Sequence, residues 1–414
     1  MAYQVTTSRN YGQRLSSSGK GIASGFMMFI IGTIVLFWNE GNFVKTKKSI
    51  QEAEGKCVHI EDVSSVDPAL SGKLIHACAF ADTKDVLTDG LFGVRETAIA
   101  LSRKVEYYQW EEHEKSETKE KFGGGEETVT TYTYDKDWVR SPINSQKFKD
   151  PAYQSYNFVL AEVEAKSQRA KDVSFGGYKL PGFIISSIGG SVPAAANLGD
   201  EEMKQWEKVI TEKITALGLS VANQNKPQMV HVSGNVVYFG LSPATPAVGD
   251  VRITLTKVMP ADISIIAKVI GSTFEEFQAK NGKTFSRVEM GTVSAESMFA
   301  DAHKENSTWT WILRLVGVIL VIGGLKSMFS ILPTLFKVVP FLGSIVGAGV
   351  GLVCTIFGIA WSFIIIAIAW LFYRPLIGIL MLAVAVAGIW YLRKVGKEKK
   401  AAKAAKAVEE DNKS

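Results

Sequence analysis

Charged side chains are scarce in this chain, and three long, strongly apolar segments contain none. Asp, Glu, Lys and Arg make up 21% of the 414 residues, whereas 47% are hydrophobic. These strongly apolar segments are residues 21–38, 338–373 and 375–392. This composition excludes disorder for most of the chain. Uncharged stretches of about 18 residues or more are typical of helices that cross a bilayer, so the sequence predicts an integral membrane protein.

Net positive charge is concentrated at the two ends of the sequence. Residues 1–38 carry a net charge of +3 and residues 309–414 a net charge of +8, which leaves −6 for residues 39–308. Lys and Arg beside membrane spans set their orientation and contact anionic lipid. The pI near 8.8 therefore indicates membrane lipids as partners and no nucleic acid.

Four transmembrane helices account for the hydropathy pattern: residues 21–38, 309–329, 351–373 and 375–392. The second contains Arg314 and Lys326, whose long side chains can reach the membrane interface from near a helix end. Residues 330–350 then form a Gly-rich connector, either cytoplasmic or interfacial. An even number of spans returns the C-terminus to the side of the N-terminus.

The basic segments predict the orientation. Residues 1–20, the connector 330–350 and the basic tail 393–414 are expected on the cytoplasmic face, with residues 39–308 on the opposite face. A cleaved signal peptide is the alternative for the first apolar segment. The exit after Trp38 has no small-x-small cleavage pattern, which favours an uncleaved anchor.

Residues 39–308 are predicted to form a strand-rich α+β domain inserted between helices 1 and 2. Strands are indicated at 74–80, 251–256 and 263–270, and a hairpin joins 98–110 to 128–138 through a solvated glycine tip at 123–125. Asn281-Gly282 predicts a second hairpin with a two-residue turn. The apolar spacing in 200–217 indicates a helix packed on the sheet, and Ser294 is expected to cap a helix that runs into the second span.

No motif in the sequence indicates catalysis, a metal or a cofactor. The five histidines show no zinc-ligand spacing, and Phe277 stands where a phosphate-binding loop ending at Gly282-Lys283-Thr284 needs glycine. Cys57 and Cys78 share a compartment in which a disulfide can form, but buried free thiols are the favoured interpretation. The protein is therefore expected not to be an enzyme.

Two groups of membrane residues are the candidate functional positions. Glu40, Arg314 and Arg374 all lie at the outer interface, where opposite charges at one depth can pair; Glu40 with Arg374 is the favoured pair and Arg314 the alternative partner. Gly343, Gly347 and Gly351 recur every fourth residue, which creates a surface that another helix backbone can approach. A flexible segment before the third span is an equal alternative for the glycines.

Several ordered segments resemble the transmembrane protein 43 (LUMA) family. They are Asn39-Glu40-Gly41 with Lys45-Thr46 and Ser49, residues 105–110, residues 132–138, residues 248–252 and residues 370–376. The glycine tip at 123–125 and the Lys/Ala-rich tail from Lys397 depart from animal members.

The resemblance implies four spans with one large lumenal or periplasmic insert. It also implies self-association and, in animals, organisation of envelope proteins such as lamins and emerin in the endoplasmic reticulum and inner nuclear membrane. Bacteria carry similar proteins, and the only acceptor pattern for glycosylation on the extracytoplasmic side, Asn306-Ser307-Thr308, lies too close to Trp309, which favours a bacterial inner membrane. We expect a non-enzymatic, self-associating membrane scaffold that contacts lipids and other membrane or envelope proteins. The alternative function is a sensor of envelope or lipid state.

Overall fold

The computed structural model describes residues 3–219, 228–376 and 379. The chain divides into two compact units. The first, the strand-rich unit, contains Ser49–Lys119 and Glu126–Ala302 together with the N-terminal strand. The second, the helical unit, contains Arg9–Lys48, Glu120–Gly125 and the described chain from His303 onward.

The larger sheet of the strand-rich unit has eight strands, labelled in chain order. Its main path is β1 (Tyr3–Arg9), β7 (Glu126–Val139), β6 (Ala100–Glu120), β14 (Val251–Val258), β13 (Val236–Phe239) and β12 (Val230–Ser233), while β8 (Lys166–Arg169) pairs with β6 and β11 (Ser191–Pro193) with β14. In β14, Val251, Ile253 and Leu255 are buried and alternate with partly exposed residues. The predicted alternation is confirmed.

The second sheet has seven strands. Its path is β10 (Tyr178–Lys179), β9 (Ser174–Phe175), β3 (Leu74–Asp82), β15 (Ala261–Ile270) and β16 (Thr273–Glu275), with β19 (Arg287–Met290) on β15 and β2 (Val58–Ile60) parallel to β3. Two further hairpins pair β4 (Val86–Asp89) with β5 (Val94–Thr97), and β17 (Phe277–Gln278) with β18 (Thr284–Phe285).

The second of these hairpins corrects one expectation about turn geometry. Ala279 donates its backbone N–H to Lys283 O at 2.8 Å, so the loop holds the three residues 280–282 rather than two. Gly282 has φ +82°, the left-handed conformation that the last position of a three-residue hairpin loop requires. The hairpin was therefore predicted at the right place with a turn that is one residue too short.

Helices cover the strands of this unit. They are the short α2 (Gly182–Ser187) and α3 (Asp200–Ala216). The predicted apolar face of α3 buries Ile210 and Ile214, and Trp206 stacks on Phe92 with ring centroids 5.8 Å apart. The helix forms because its apolar residues recur every three or four positions and Asp200, Glu201 and Glu202 begin it.

The helical unit is built from α1 (Tyr11–Lys56), α4 (Ala295–Met328), α5 (Ile331–Phe336) and α6 (Pro340–Tyr373). The helices α1, α4 and α6 are long and apolar enough to cross a membrane. They contain the predicted spans 21–38 and 351–373 and all of 309–329 except its last residue, whereas the predicted fourth span, 375–392, lies almost entirely outside the described residues. α6 already begins at Pro340, so residues 340–350 are helical.

Two further sequence expectations concern elements that enter the helical unit. Ser294 accepts from the Ser297 N–H through Oγ and from the Met298 N–H through its carbonyl, so it caps one continuous helix as predicted.

The glycine tip at 123–125 was predicted to be solvated, but it packs against the start of α1. Gly124 is buried, and a Cβ there would lie 2.4 Å from the Tyr11 ring.

Candidate functional site

Glu40 defines the site, because its carboxylate is entirely buried at the end of an apolar helical segment. It follows Trp38 on α1, and none of its surface is exposed. A buried carboxylate destabilises a fold unless both its charge and its hydrogen-bonding capacity are satisfied. The side chains that satisfy it are therefore part of the same site.

Two other helices supply the donors to this carboxylate. Arg314 of α4 donates from Nε to Oε1 at 2.6 Å and from Nη2 to Oε2 at 2.9 Å. Trp370 of α6 donates its indole N–H to Oε2 at 2.8 Å. A guanidinium that bonds both oxygens of a carboxylate combines charge with fixed geometry. The arrangement ties α4 and α6 to α1 at one level.

Arg374 completes this cluster directly after the end of α6. Its guanidinium carbon lies 4.6 Å from the centre of the Phe43 ring and 5.6 Å from that of Trp370. Aromatic faces attract cations of this kind. The structure thus brings together the three predicted interface residues Glu40, Arg314 and Arg374, here called the collar. The direct ion pair joins Glu40 to the alternative partner Arg314 rather than to the favoured Arg374, which lies against aromatic rings.

The neighbours of Glu40 in sequence explain the Asn-Glu-Gly motif. Asn39 donates from Nδ2 to the Thr310 carbonyl at 3.0 Å, which adds a second polar link from α1 to α4. A Cβ on Gly41 would lie 2.5 Å from the Tyr373 ring, so glycine allows the end of α6 to approach α1 closely. All three residues of the motif therefore serve helix packing.

Four other glycines form the close α1–α4 contact, and the sequence reasoning missed them. A Cβ on Gly25 would lie 2.7 Å from Gly324 O, and a Cβ on Gly32 would lie 3.0 Å from Gly317 O. Small residues allow helix backbones to approach in this way inside membranes. The available signal was a spacing of seven residues in each helix, from Gly25 to Gly32 and from Gly317 to Gly324.

The predicted stripe of Gly343, Gly347 and Gly351 has three different environments within one chain. A Cβ on Gly343 would lie 2.4 Å from Lys337 Cγ, and one on Gly347 would lie 3.5 Å from Pro333 Cβ. At Gly351 the space within 4 Å is open. The stripe therefore contacts the segment around α5 at its beginning and is uncovered at its end.

The strand-rich unit contains a polar cluster with no evident chemistry. His59 Nδ1 lies 2.8 Å from His76 Nδ1, and His76 Nε2 lies 2.9 Å from the Val293 carbonyl. Desolvation lowers the pKa of His76 below its ordinary value, although the bond to Val293 opposes the shift. Within the described residues, no three His, Cys, Asp or Glu side chains are grouped to hold a metal ion.

The cysteines are free, as the favoured interpretation expected. Burial raises the pKa of the Cys57 thiol to about 11, so at neutral pH it is protonated and a poor nucleophile. Neither these thiols nor the histidine pair adds a reactive centre to the buried cluster around Glu40.

The fold and this cluster define a multi-pass membrane protein with a large strand-rich domain. The family model for transmembrane protein 43 matches residues 107–375, and the chain belongs to that family. Transmembrane protein 43 of Mus musculus is 30% identical over 376 residues, covering 88% of this chain and 87% of the relative. The Homo sapiens protein is 29% identical over 404 residues, covering 94% of each.

More distant similarity extends to insects. A transmembrane protein 43 homolog of Drosophila melanogaster is 24% identical over 378 residues, covering 89% of this chain and 93% of the relative. No solved structure matches the chain. These relatives are animal proteins, so they give no support to the expected bacterial inner membrane.

Proposed function

We propose that this protein is a non-enzymatic membrane-organising scaffold that self-associates through its membrane helices and its strand-rich domain. The observation that carries the proposal is the Glu40 cluster. Its ionised groups are engaged with one another and with aromatic rings, and they join three helices. Polar groups used this way favour a fixed helical body over a proton or ion path, which needs ionisable groups accessible within the membrane.

The outer surface of α6 supports self-association. Its exposed residues include Phe357, Phe363 and Phe372, and a Cβ at Gly351 would meet no atom of the described chain within 4 Å. Lipid chains cover apolar side chains without penalty, and a flat glycine surface additionally permits a second backbone to approach. We therefore assign the end of the Gly343–Gly351 stripe to contact between copies.

The proposed topology has four spans, with residues 39–308 inserted between helices 1 and 2 on the extracytoplasmic side. The charge distribution of +3, −6 and +8 supports this orientation. The two termini then share the cytoplasmic side. The proposed partners are membrane lipids, further copies of this chain and other membrane or envelope proteins. The proposed location is the endoplasmic reticulum or inner nuclear membrane.

Native mass measurement of the full chain in mild detergent and in lipid nanodiscs tests the scaffold. We expect a defined homo-oligomer that Gly351→Leu weakens and that the conservative Gly351→Ala largely retains. A monomer in both environments at all protein concentrations would contradict self-association.

A sensor is the second candidate function, and the continuous helix α4 favours it. One uninterrupted helix from Ala295 to Met328 contains both the segment capped by Ser294 and the second span. A rigid helix can transmit a movement only if it has two stable positions. A monomer that co-purifies with a small molecule, and whose α4 changes its hydrogen exchange when that molecule is removed, would favour the sensor.

A further inference from the structure

The helices of the helical unit form an apolar recess between α4, α5 and α6. It has a volume of about 530 Å³ and is lined by Leu325 and Phe329 of α4, Leu332 of α5 and one face of α6 from Gly349 to Phe357. Ligand pockets in proteins typically have volumes of about 300 to 1,000 Å³. The recess therefore has the size of a binding site, and all of its walls belong to one compact unit of the chain.

Contacts between helices bound the recess along α6. At one end, a Cβ on Gly347 would lie 3.5 Å from Pro333 Cβ of α5. At the other end, a Cβ on Gly358 would lie 2.6 Å from Ile322 Cγ1 of α4. The helix rise between these two glycines is about 16 Å at about 1.5 Å per residue. The recess is thus an elongated slot, a shape that suits a lipid chain better than a compact solute.

The walls of the recess are apolar and open to the side. Val353 and Phe357 are 52% and 67% exposed, and Phe329 and Leu332 are exposed as well. The lining side chains are hydrocarbon apart from the thiol of Cys354, and a buried thiol behaves as a small hydrophobe. An acyl chain can therefore enter the slot laterally without leaving a polar group of the wall unsatisfied.

A lysine stands beside these apolar walls. Lys326 follows Leu325 on α4, and its side chain is exposed and forms no ion pair within the described part of the chain. Its ammonium lies close enough to Cys354 in the recess to act on that thiol electrostatically. Residues 309–376 contain no Asp or Glu, so no carboxylate of α4, α5 or α6 can neutralise this charge.

Lys326 lies at a basic end of the membrane helices. Ser327 Oγ donates to Gly21 O at 2.8 Å, which places this part of α4 beside the start of the first apolar segment. Lys20 directly precedes that segment, and residues 11–38 also contain no Asp or Glu. Anionic headgroups attract basic residues next to a membrane span, and basic pockets between spans bind such headgroups. The charge that these helices lack is therefore one that a lipid phosphate can supply.

We propose that the recess between α4, α5 and α6 binds an anionic glycerophospholipid, with one acyl chain in the apolar slot and the headgroup phosphate at Lys326. This inference rests on the proposed function only in that α4 and α6 cross the membrane, and it does not require self-association. Gly351, assigned above to contact between copies, does not line the recess. The bound lipid fills the space between three helices and adds the negative charge that they lack.

Native mass measurement of the full chain with added lipid tests the headgroup site. The probes are phosphatidylserine and phosphatidylcholine with identical acyl chains, so only the headgroup differs. We expect the parent to retain phosphatidylserine preferentially, Lys326→Gln to lower that preference about fivefold, which is the scale of one lysine beside anionic lipid, and Lys326→Arg to keep it. Lys73→Gln removes the same charge from an exposed position of the strand-rich unit and is the matched control.

A photoactivatable acyl chain tests the apolar slot. Phosphatidylserine that carries a diazirine in one chain should label residues 349–357 of α6, and excess unlabelled phosphatidylserine should compete more strongly than phosphatidylcholine. Val353→Trp fills the slot and should abolish this labelling. Because Val353 is half-exposed, the larger ring is expected to leave the melting temperature in detergent unchanged, which verifies that the fold is intact.

Other results overturn the proposal. Equal retention of both lipids by the parent, or an unchanged preference in Lys326→Gln, removes the headgroup site. Labelling that avoids residues 349–357 removes the slot as a lipid site, and a photoreactive residue at position 353 that crosslinks to residues 375–392 assigns the slot to the predicted fourth span instead. The same mass spectra report the scaffold separately. A monomer that still prefers phosphatidylserine contradicts self-association alone, and an oligomer without that preference contradicts the lipid site alone.

Discussion

Both units of this protein bury an arginine–carboxylate pair, and the two pairs connect different kinds of elements. In the strand-rich unit, Arg103 Nη1 donates to both oxygens of Asp89, at 2.7 and 2.8 Å, across a separation of 14 residues. In the helical unit, Arg314 bonds both oxygens of Glu40 across 274 residues. The first pair joins β4 to β6, whereas the second joins helices that the whole domain separates in sequence.

The two pairs also differ in what remains when the carboxylate is removed. Arg103 keeps a bond from Nε to the Glu164 carbonyl at 2.8 Å and a face contact with Phe92. Without Glu40, Arg314 keeps a face contact with the Trp311 ring but loses its hydrogen bonds to the carboxylate, the Trp370 N–H loses its acceptor, and Arg374 loses the nearby negative charge. When its carboxylate is removed, the buried arginine of the strand-rich unit therefore keeps a hydrogen bond, whereas Arg314 between the membrane helices loses both bonds described above.

The largest effect is expected from Glu40→Leu. Removing one partner of a buried ion pair costs about 3 to 5 kcal/mol, because the other charge stays buried and unpaired. Thermal unfolding in detergent should show a marked loss, and Glu40→Leu combined with Arg314→Leu should recover much of it. If Glu40→Leu alone is as stable as the parent, the Glu40 cluster does not stabilise the helical unit.

A somewhat smaller loss is expected from Asp89→Asn in the strand-rich unit. The amide retains shape and one acceptor, and Arg103 retains Glu164, so we expect about 2 to 3 kcal/mol, below the full cost of an isolated buried charge. Chemical unfolding of the full chain, followed by tryptophan fluorescence, provides the measurement. A loss larger than that of Glu40→Leu would reverse the comparison.

Substitutions at two glycines should distinguish a glycine that is packed against another helix of the same chain from one that faces open space. Gly324→Ala places a Cβ 2.6 Å from Phe29 N and should destabilise the helical unit by about 1 to 2 kcal/mol, on the scale of contacts between membrane helices. Gly351→Ala meets no atom within 4 Å in the chain, and alanine favours a helix over glycine by about 1 kcal/mol. Melting temperatures should fall for the first and stay equal or rise for the second; equal losses would refute the assigned contact.

The smallest effect is expected from pH at the turn between β6 and β7. Burial raises the pKa of Glu120, but bonds and charges from Lys337 and Arg14 lower it further, so the net pKa lies below 4.5. A carboxyl with a lowered folded pKa stabilises the fold above about pH 4.5 and loses that contribution as pH falls through the folded value. The melting-temperature difference between the parent and Glu120→Gln should therefore be constant near neutral pH and shrink in acid. A difference that grows on acidification would contradict this sign.

The sequence predicted the positions of helices and strands more accurately than the long-range contacts between them. Charge-free segments located α1 and α6, the apolar run between Arg314 and Lys326 located α4, and the alternation from Val251 to Leu255 located β14, because these signals are local. The contact of Gly25 with Gly324 joins residues about 300 positions apart, and no local spacing identifies such a partner. The glycine turn at 123–125 has the composition of a solvated loop, so only the fold shows that Arg14 holds it.

Local sequence patterns were also insufficient to identify the ion pair within the collar. Glu40, Arg314 and Arg374 have one predicted depth, which places them together but leaves two possible ion pairs. The choice depends on rotation of the helices about their axes: Arg314 turns its guanidinium to Glu40, while Phe43 and Trp370 present their ring faces to Arg374. Hydropathy and charge counts contain no information on that rotation.

A charge-exchange experiment at Glu40 tests this arrangement most directly. Glu40→Arg is combined with Arg314→Glu in one double variant and with Arg374→Glu in another, and the melting temperature of each is measured in the same detergent. We predict that Arg314→Glu restores a substantial part of the stability lost in Glu40→Arg, whereas Arg374→Glu restores little. Recovery with Arg374→Glu alone, or additive losses in both double variants, would contradict the pairing of Glu40 with Arg314.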